Sequence, residues 1–492
     1  LTKLQQMQFM KKLLFILLFL QPLRAAPEDS LVRINSTIQT YSASQPWEKT
    51  PPRSRRGLGV LLPGNRILTT AAMAADSIYI ELQSADSTKT VPARVAAIDY
   101  EVNLALLSPD AELGFLADLK PTTIAPPAKP DDEVELLQLE TNGEPLSTIG
   151  KIRSMELLST FVSGRYFLGY VVKASMQTSG NSFTLPAFQS QKLIGILTSY
   201  DSKDQICDVI SVDIISAFLK DAENGSYKGF PSLGIATTTT EDPHFRGWLK
   251  LPENKGGLYV TRVLPKGSAA KAGIKKGDVI LNVSGFAIDR RGYFEHPDYG
   301  KLFWPHLVRG GPIMGSKVSI EVLRNGKEKT IEAILQKPPS PLVPGYLYDE
   351  APPFLIKGGL VFQELSRPYL EAFGKDWATR APLNLLDVLS SPEDYEKGRR
   401  RVVVLTRVVA TEATIGYDRL ASQIIKSVNG KTIEGLPELA KTLEDTPENG
   451  IHTIETDKEP YQIFLDQSLS DRVDQDFITR GLPTLKRLYK AE

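Results

Sequence analysis

Short apolar runs separated by turn chemistry dominate the first part of the chain, the pattern of an all-β barrel or sandwich. A first group covers residues 57–62, 66–68, 77–82, 91–98 and 104–107. A proline-rich connector follows at 121–130 and contains Pro126-Pro127. A second group then runs through 133–139, 150–156, 166–174, 184–188 and 193–198. Residues 212–222 switch to helical periodicity and close the unit. Two like β groups, a linker and a closing helix predict a mainly β fold with two barrels over 27–225.

The texture changes after Lys228. Gly257-Leu258-Tyr259-Val260 leads to an alanine-rich piece, 267–272, that predicts a short helix stopped by Gly273. Gly277-Asp278 turns the chain into a buried strand at 279–281. Residues 317–323 and 328–335, joined by Arg324-Asn325-Gly326, predict a hairpin. These elements form one α+β module over 229–340, and prolines at 338–344 predict an extended linker. The plan then recurs more faintly over 345–466. Gly359-Leu360-Val361-Phe362 opens the second copy, 401–409 is a β-branched buried strand, and 423–430 parallels 278–285. Residues 436–443 predict an amphipathic helix. Self-similarity of this kind argues for two copies of one module. Residues 467–492 read as a polar C-terminal tail with helical character.

Composition narrows the chemistry. Lys plus Arg and Asp plus Glu both number 58 in 492 residues, so no global field favours nucleic acid or anionic lipid. Cys207 is the one cysteine, which excludes an intrachain disulfide and reads as a packing residue. The four histidines are scattered and form no metal-ligand pattern, so neither a metal nor a cofactor is expected. His244, His296 and His452 read as surface or loop residues. At the N-terminus, Met10-Lys11-Lys12, the apolar run 13–20 and Leu23-Arg24-Ala25 have the form of a signal peptide within residues 1–26, with the residues before Met10 as an upstream extension. They predict an exported protein, periplasmic or secreted.

Serine acyl transfer needs a hydroxyl beside an imidazole, a carboxylate to hold the imidazole, and backbone donors for the oxyanion. The candidate hydroxyl is Ser182 in Gly180-Asn181-Ser182. With it, 57–60, 67–74 and 99–107 resemble the glycine-rich strand, the histidine strand and the aspartate segment of the HtrA (Deg) family of serine proteases. Pro46-Trp47, the two modules and Pro341-Leu342-Val343-Pro344 are similar to two-PDZ members known from plants. The resemblance covers about 41–466. It implies a chymotrypsin-like double β-barrel followed by two PDZ domains.

Carried over by residue, the resemblance puts Ala72 where the family has histidine and Asn103 where it has aspartate, with Ser182 kept and Phe183-Thr184 after it. No histidine precedes His244. The expectation is therefore a degenerate triad at Ala72, Asn103 and Ser182, and a pseudoprotease that is not an enzyme. The alternative is an active serine endopeptidase using Ser182 with an unconventional base, nominally Lys173 or Lys192.

The PDZ resemblance implies capture of peptide C-termini or unfolded segments by strand addition. In the first module Ser232, Leu233, Gly234 and Ile235 resemble the carboxylate-binding loop, with 302–308 as the helix across the groove, bringing His306 and Arg309 near it. In the second, Lys357, Gly358, Gly359 and Leu360 correspond. The resemblance also implies a trimer, with Tyr41 and Trp47 as contact residues, and a role as chaperone, adaptor or scaffold in protein quality control.

Overall fold

The computed structural model describes residues 26–489 apart from 111–113, 163, 178–183, 224 and 226. Residues 10–25, which carry the expected targeting signal, and Ser182 lie outside the described residues. No helix among the described residues is long and apolar enough to cross a membrane.

Two closed barrels form the first unit. Strands β1 (Leu31–Ile38), β2 (Arg53–Leu62), β3 (Arg66–Thr69), β4 (Ser77–Gln83), β5 (Thr90–Asp99) and β6 (Leu104–Pro109) close in the order β1-β2-β3-β6-β5-β4. Strands β7 (Glu133–Leu139), β8 (Pro145–Ser159), β9 (Tyr166–Lys173), β10 (Leu185–Gln189), β11 (Lys192–Asp201) and β12 (Ile206–Ser211) close in the order β10-β11-β12-β9-β8-β7. Strand β1 escapes the sequence reading because it alternates weakly: Val32, Ile34 and Ser36 point inward between Arg33, Asn35 and Thr37. Its pairing with both β2 and β4 is what closes the first barrel. Closure crowds the interior. A Cβ on Gly195 would lie 2.4 Å from Val209 Cγ1 and 2.6 Å from the Ile210 carbonyl oxygen. The helix Val212–Ala222 then caps the second barrel with Val212, Ile214, Ile215, Phe218 and Leu219.

The first module contains β13 (Ile235–Thr238), β14 (Leu258–Val263), β15 (Val279–Val283), β16 (Phe286–Ala287), β17 (Tyr293–His296), β18 (Gly300–Phe303), β19 (Lys317–Arg324) and β20 (Lys327–Ile334). Its main sheet runs β13-β14-β15-β19-β20. The alanine-rich helix is Ser268–Ala272, and Gly273 ends it at φ 85°. The helix expected over 302–308 is not formed. Residues 293–303 make the hairpin β17–β18, in which Phe294 faces Leu302 and Tyr293 faces Phe303. Only the single turn His306–Arg309 after Pro305 is helical.

The second module contains β21 (Phe354–Lys357), β22 (Leu360–Glu364), β23 (Val403–Val408), β24 (Gln423–Val428), β25 (Lys431–Thr432), β26 (Ile451–Thr456), β27 (Gln462–Asp466) and β28 (Lys486–Arg487). The sheet order is β27-β26-β24-β23-β22-β21-β28. Read from β22 to β27, this repeats β13 to β20, so β22 takes the place of β13. Residues 467–492, read as a tail, supply the helix Gln467–Thr479 and β28 to this module.

Candidate functional site

The corner between the barrels is built from β3, the turn after it and the β5–β6 turn. Strand β3 ends at Thr69, and Ala71–Ala74 forms one helical turn. Asn103 sits in the left-handed region at φ 59°, a conformation Asn tolerates well. Its Oδ1 accepts from the Ala72 N–H at 2.9 Å. Thr70 and Thr184 join the two barrels hydroxyl to hydroxyl at 2.9 Å, and Leu58 N–H donates to the Thr184 carbonyl at 3.2 Å. A small cavity beside Asn103 is lined by Val102, Ser159, Thr160, Phe167 and Thr198. Neither the Ala72 methyl nor the Asn103 carboxamide accepts a proton near neutrality.

Asp99, a buried carboxylate at the end of β5, accepts from the Glu101 and Val102 amides at 2.8 and 3.1 Å and from Tyr227 Oη at 2.6 Å. Burial raises its pKa, against the pull of those donors. Asp99 thereby pins the segment entering the first α+β module. The proposed bases stand elsewhere. Lys173 Nζ donates to the Asp204 carbonyl at 2.5 Å on the outer end of β9, and Lys192 is exposed where β11 begins. Cys207 is a packing residue, fully buried beside Met176, its thiol pushed up to about 12 by burial.

In the first module the Ser232–Ile235 loop is held from behind. Ser232 N–H donates to Gln336 O at 3.1 Å, Ser268 Oγ to Ser232 O at 2.7 Å, and Ala269 N–H to Leu233 O at 2.9 Å. Gly234 has φ 72°, and its N–H reaches Ser232 Oγ at 3.1 Å. Leu233 is buried in the core and Ile235 is half-buried at the start of β13. Among the described residues, strand β13 pairs with β14 on one side and ends the sheet, which leaves its other edge for an added strand. Arg309 Nη2 lies 3.4 Å from Ser232 Oγ. His306 does not join this loop. Its ring stacks near Phe294 and lies 5.8 Å from His296, over the β17–β18 hairpin. Its Nδ1 is buried with no hydrogen-bond partner in the structure, and burial with the His296 charge lowers its pKa to about 4.

The second loop is taken up by the chain itself. Asp474 Oδ1 accepts from Gly358 N–H at 2.7 Å, and Lys357, nearly buried, is bound by Asp471 and Asp474. Gly359 at φ 108° and Leu360 continue into β22, whose edge is covered by β21 and then β28. The expectation of an open peptide loop at Lys357–Leu360 gives way to an internally paired one. Nothing in the sequence pattern signals this, because Asp474 lies on a polar helix more than a hundred residues away.

One further expectation is corrected. His452 is fully buried, within 3.0 Å of Asn429 Nδ2 and bonded to Gln467, rather than on the surface. Tyr41 and Trp47 pack within the chain, Tyr41 under the Arg487 guanidinium at 4.7 Å and Trp47 against Phe354 at 5.7 Å.

The PDZ domain family matches residues 231–335 and 343–480. The chain is 28% identical to Protease Do-like 4, mitochondrial, of Arabidopsis thaliana, over 85% of its own length and 77% of that protein. It is 27% identical to Protease Do-like 2, chloroplastic, of the same plant, over 89% of its length and 69% of that protein. Among solved structures, the HtrA-type protease AlgW with decapeptide is 21% identical at a TM-score of 0.47, covering 65% of this chain and 98% of that one. The expectation that the chain is a pseudoprotease and not an enzyme is overturned by these comparisons, since the relatives it matches over most of its length are named as proteases. What the residues retain is a constraint on the base, because the barrels hold no imidazole.

Proposed function

We propose that this chain, with its HtrA/Deg-type trypsin-like fold and two PDZ domains, captures extended polypeptide at the first PDZ domain and hydrolyses it as a serine endopeptidase through Ser182. The observation that carries the binding half is the unpaired edge of β13, running out of the braced Ser232–Ile235 loop. An antiparallel peptide added there gains main-chain hydrogen bonds, and its C-terminal carboxylate meets loop N–H groups and the Arg309 charge. Binding is tested by titrating the full chain with a library of fluorescent C-terminal peptides. Gly234→Glu, which forces a side chain and a negative charge into a left-handed position, is expected to abolish binding. Equal affinity in parent and variant would refute this site.

The hydrolytic half is supported by the relatives named as proteases and by Ser182 in the sequence Gly180-Asn181-Ser182. Attack by Ser182 on a peptide carbonyl needs a group to take the hydroxyl proton. No histidine precedes His244, so that group is not an imidazole of the barrels. Casein cleavage is expected to vanish in Ser182→Ala, and the pH–rate profile to lack the acidic limb near ~6.5 that an imidazole base imposes. Absence of cleavage above the Ser182→Ala background would sink the endopeptidase half and leave the binding half standing.

A further inference from the structure

The first residues of the second PDZ domain do not run free. Tyr348 stacks on Phe161, with centroids 4.8 Å apart and planes 18° from parallel, and lies 5.0 Å from Tyr100. Tyr346 stacks on Tyr348 at 5.4 Å and lies 5.5 Å from Tyr100. Tyr100 comes from the first barrel, in the β5–β6 turn that also carries Asn103. Phe161 comes from the second, in the β8–β9 turn, next to the cavity residues Ser159 and Thr160. The Tyr348 ring is therefore wedged between loops of both barrels, at the opening they share.

A second contact fixes the next residue. Asp76 N–H donates to Asp349 Oδ1 at 2.6 Å, and Asp349 N–H donates to Asp76 Oδ1 at 2.9 Å. Both residues adopt left-handed φ, 58° and 57°, and Tyr100 Oη donates to the other Asp349 oxygen. Asp76 closely follows the Ala71–Ala74 turn. Arg55, which binds the Ala72 carbonyl, feels both Asp76 and Tyr348. A segment that had only to supply reach would be polar or rich in glycine and proline. Here paired hydrogen bonds and two half-buried tyrosines bind it to the barrels.

We propose that residues 346–349 are a strap that closes the mouth of the inter-barrel cleft over Ala72 and Asn103, with the Asp76–Asp349 pair as its latch. The strap lies at the start of the second PDZ domain, ahead of β21, and the rest of that domain holds it in place. Access to the cleft then requires the strap to lift, whether or not the first PDZ domain binds peptide.

The full chain tests this through a reporter thiol. Cys207 is fully buried, so in an Ala72→Cys protein a maleimide reads the cleft alone. Labelling at position 72 is expected to be at least tenfold faster with Tyr348→Ser or Asp349→Ala, and unchanged with Tyr348→Phe, which keeps the ring. Equal rates in the parent and the strap variants would overturn the proposal. Cys207 in the same variants without Ala72→Cys reports folding. Should Tyr348→Ser expose it, Asp349→Ala, which deletes the latch without opening a hole between rings, decides by the same criterion.

Discussion

Asp278 shows how much a single position can hold. Its side chain is almost fully buried, yet it takes Arg324 on both oxygens at 2.7 Å and the Lys275 N–H at 2.9 Å. The Gly277-Asp278 turn is legible in the sequence. The partner, in the Arg324-Asn325-Gly326 hairpin turn, is not, because nothing local links the two turns. Removing one half of such a pair strands a buried charge, so Arg324→Ala should destabilise the first PDZ domain by about 3 kcal/mol in urea unfolding. His306 gives a pH effect. Its folded pKa of about 4 lies below the ordinary 6.5, so the unfolded chain takes up the proton first as pH falls. Stability is full above 6.5 and declines down to about 4, by roughly 3 kcal/mol. The facing groups are His296, Tyr299 and Asp213; burial raises the Asp213 carboxyl, so the folded chain takes up that proton first as pH falls and Asp213 opposes the decline at its acid end. Denaturation of His306→Gln at stepped pH should show that decline removed.

At the scale of elements, those that needed only local chemistry were readable. The helix Val212–Ala222, the Ala-rich helix ending at Gly273 and the Asn-Gly hairpins carry their signals within a few residues. Those decided by pairing were not. Strand β1 shows little alternation and exists because two neighbours accept it, while 302–308 breaks at Trp304-Pro305 and lends its apolar residues to a hairpin. Strand pairing also decides which PDZ edge is open. The outer edge of β13 ends its sheet, whereas the equivalent edge of β22 is covered by β21. Asp474→Ala should leave Gly358 N–H buried without an acceptor and cost about 1–3 kcal/mol. Hydrogen exchange confined to 354–360 would register it first.

For the whole molecule, the modules are packed rather than strung. One hydrophobic core runs from the second barrel into the first PDZ domain, where Phe167 meets Phe230 edge-on at 5.1 Å. Arg262 of the first PDZ domain binds Glu396 of the second, and the N-terminal segment reaches the second through Trp47 and Arg487. Deleting residues 467–492 should therefore unfold the second PDZ domain instead of trimming a tail. Calorimetry of the truncated chain is expected to show the loss of its transition, since Val473 and β28 go with the deletion.

Periodicity and turn chemistry act between near neighbours, so the chain alone was enough to establish two barrels, two repeated modules and the absence of any imidazole before His244. Which edge stays unpaired, which carboxylate answers Gly358, and where Tyr346 and Tyr348 come to rest depend on residues brought together from distant parts of the chain. Such contacts leave no mark in a local pattern, because their energy exists only once the modules have packed.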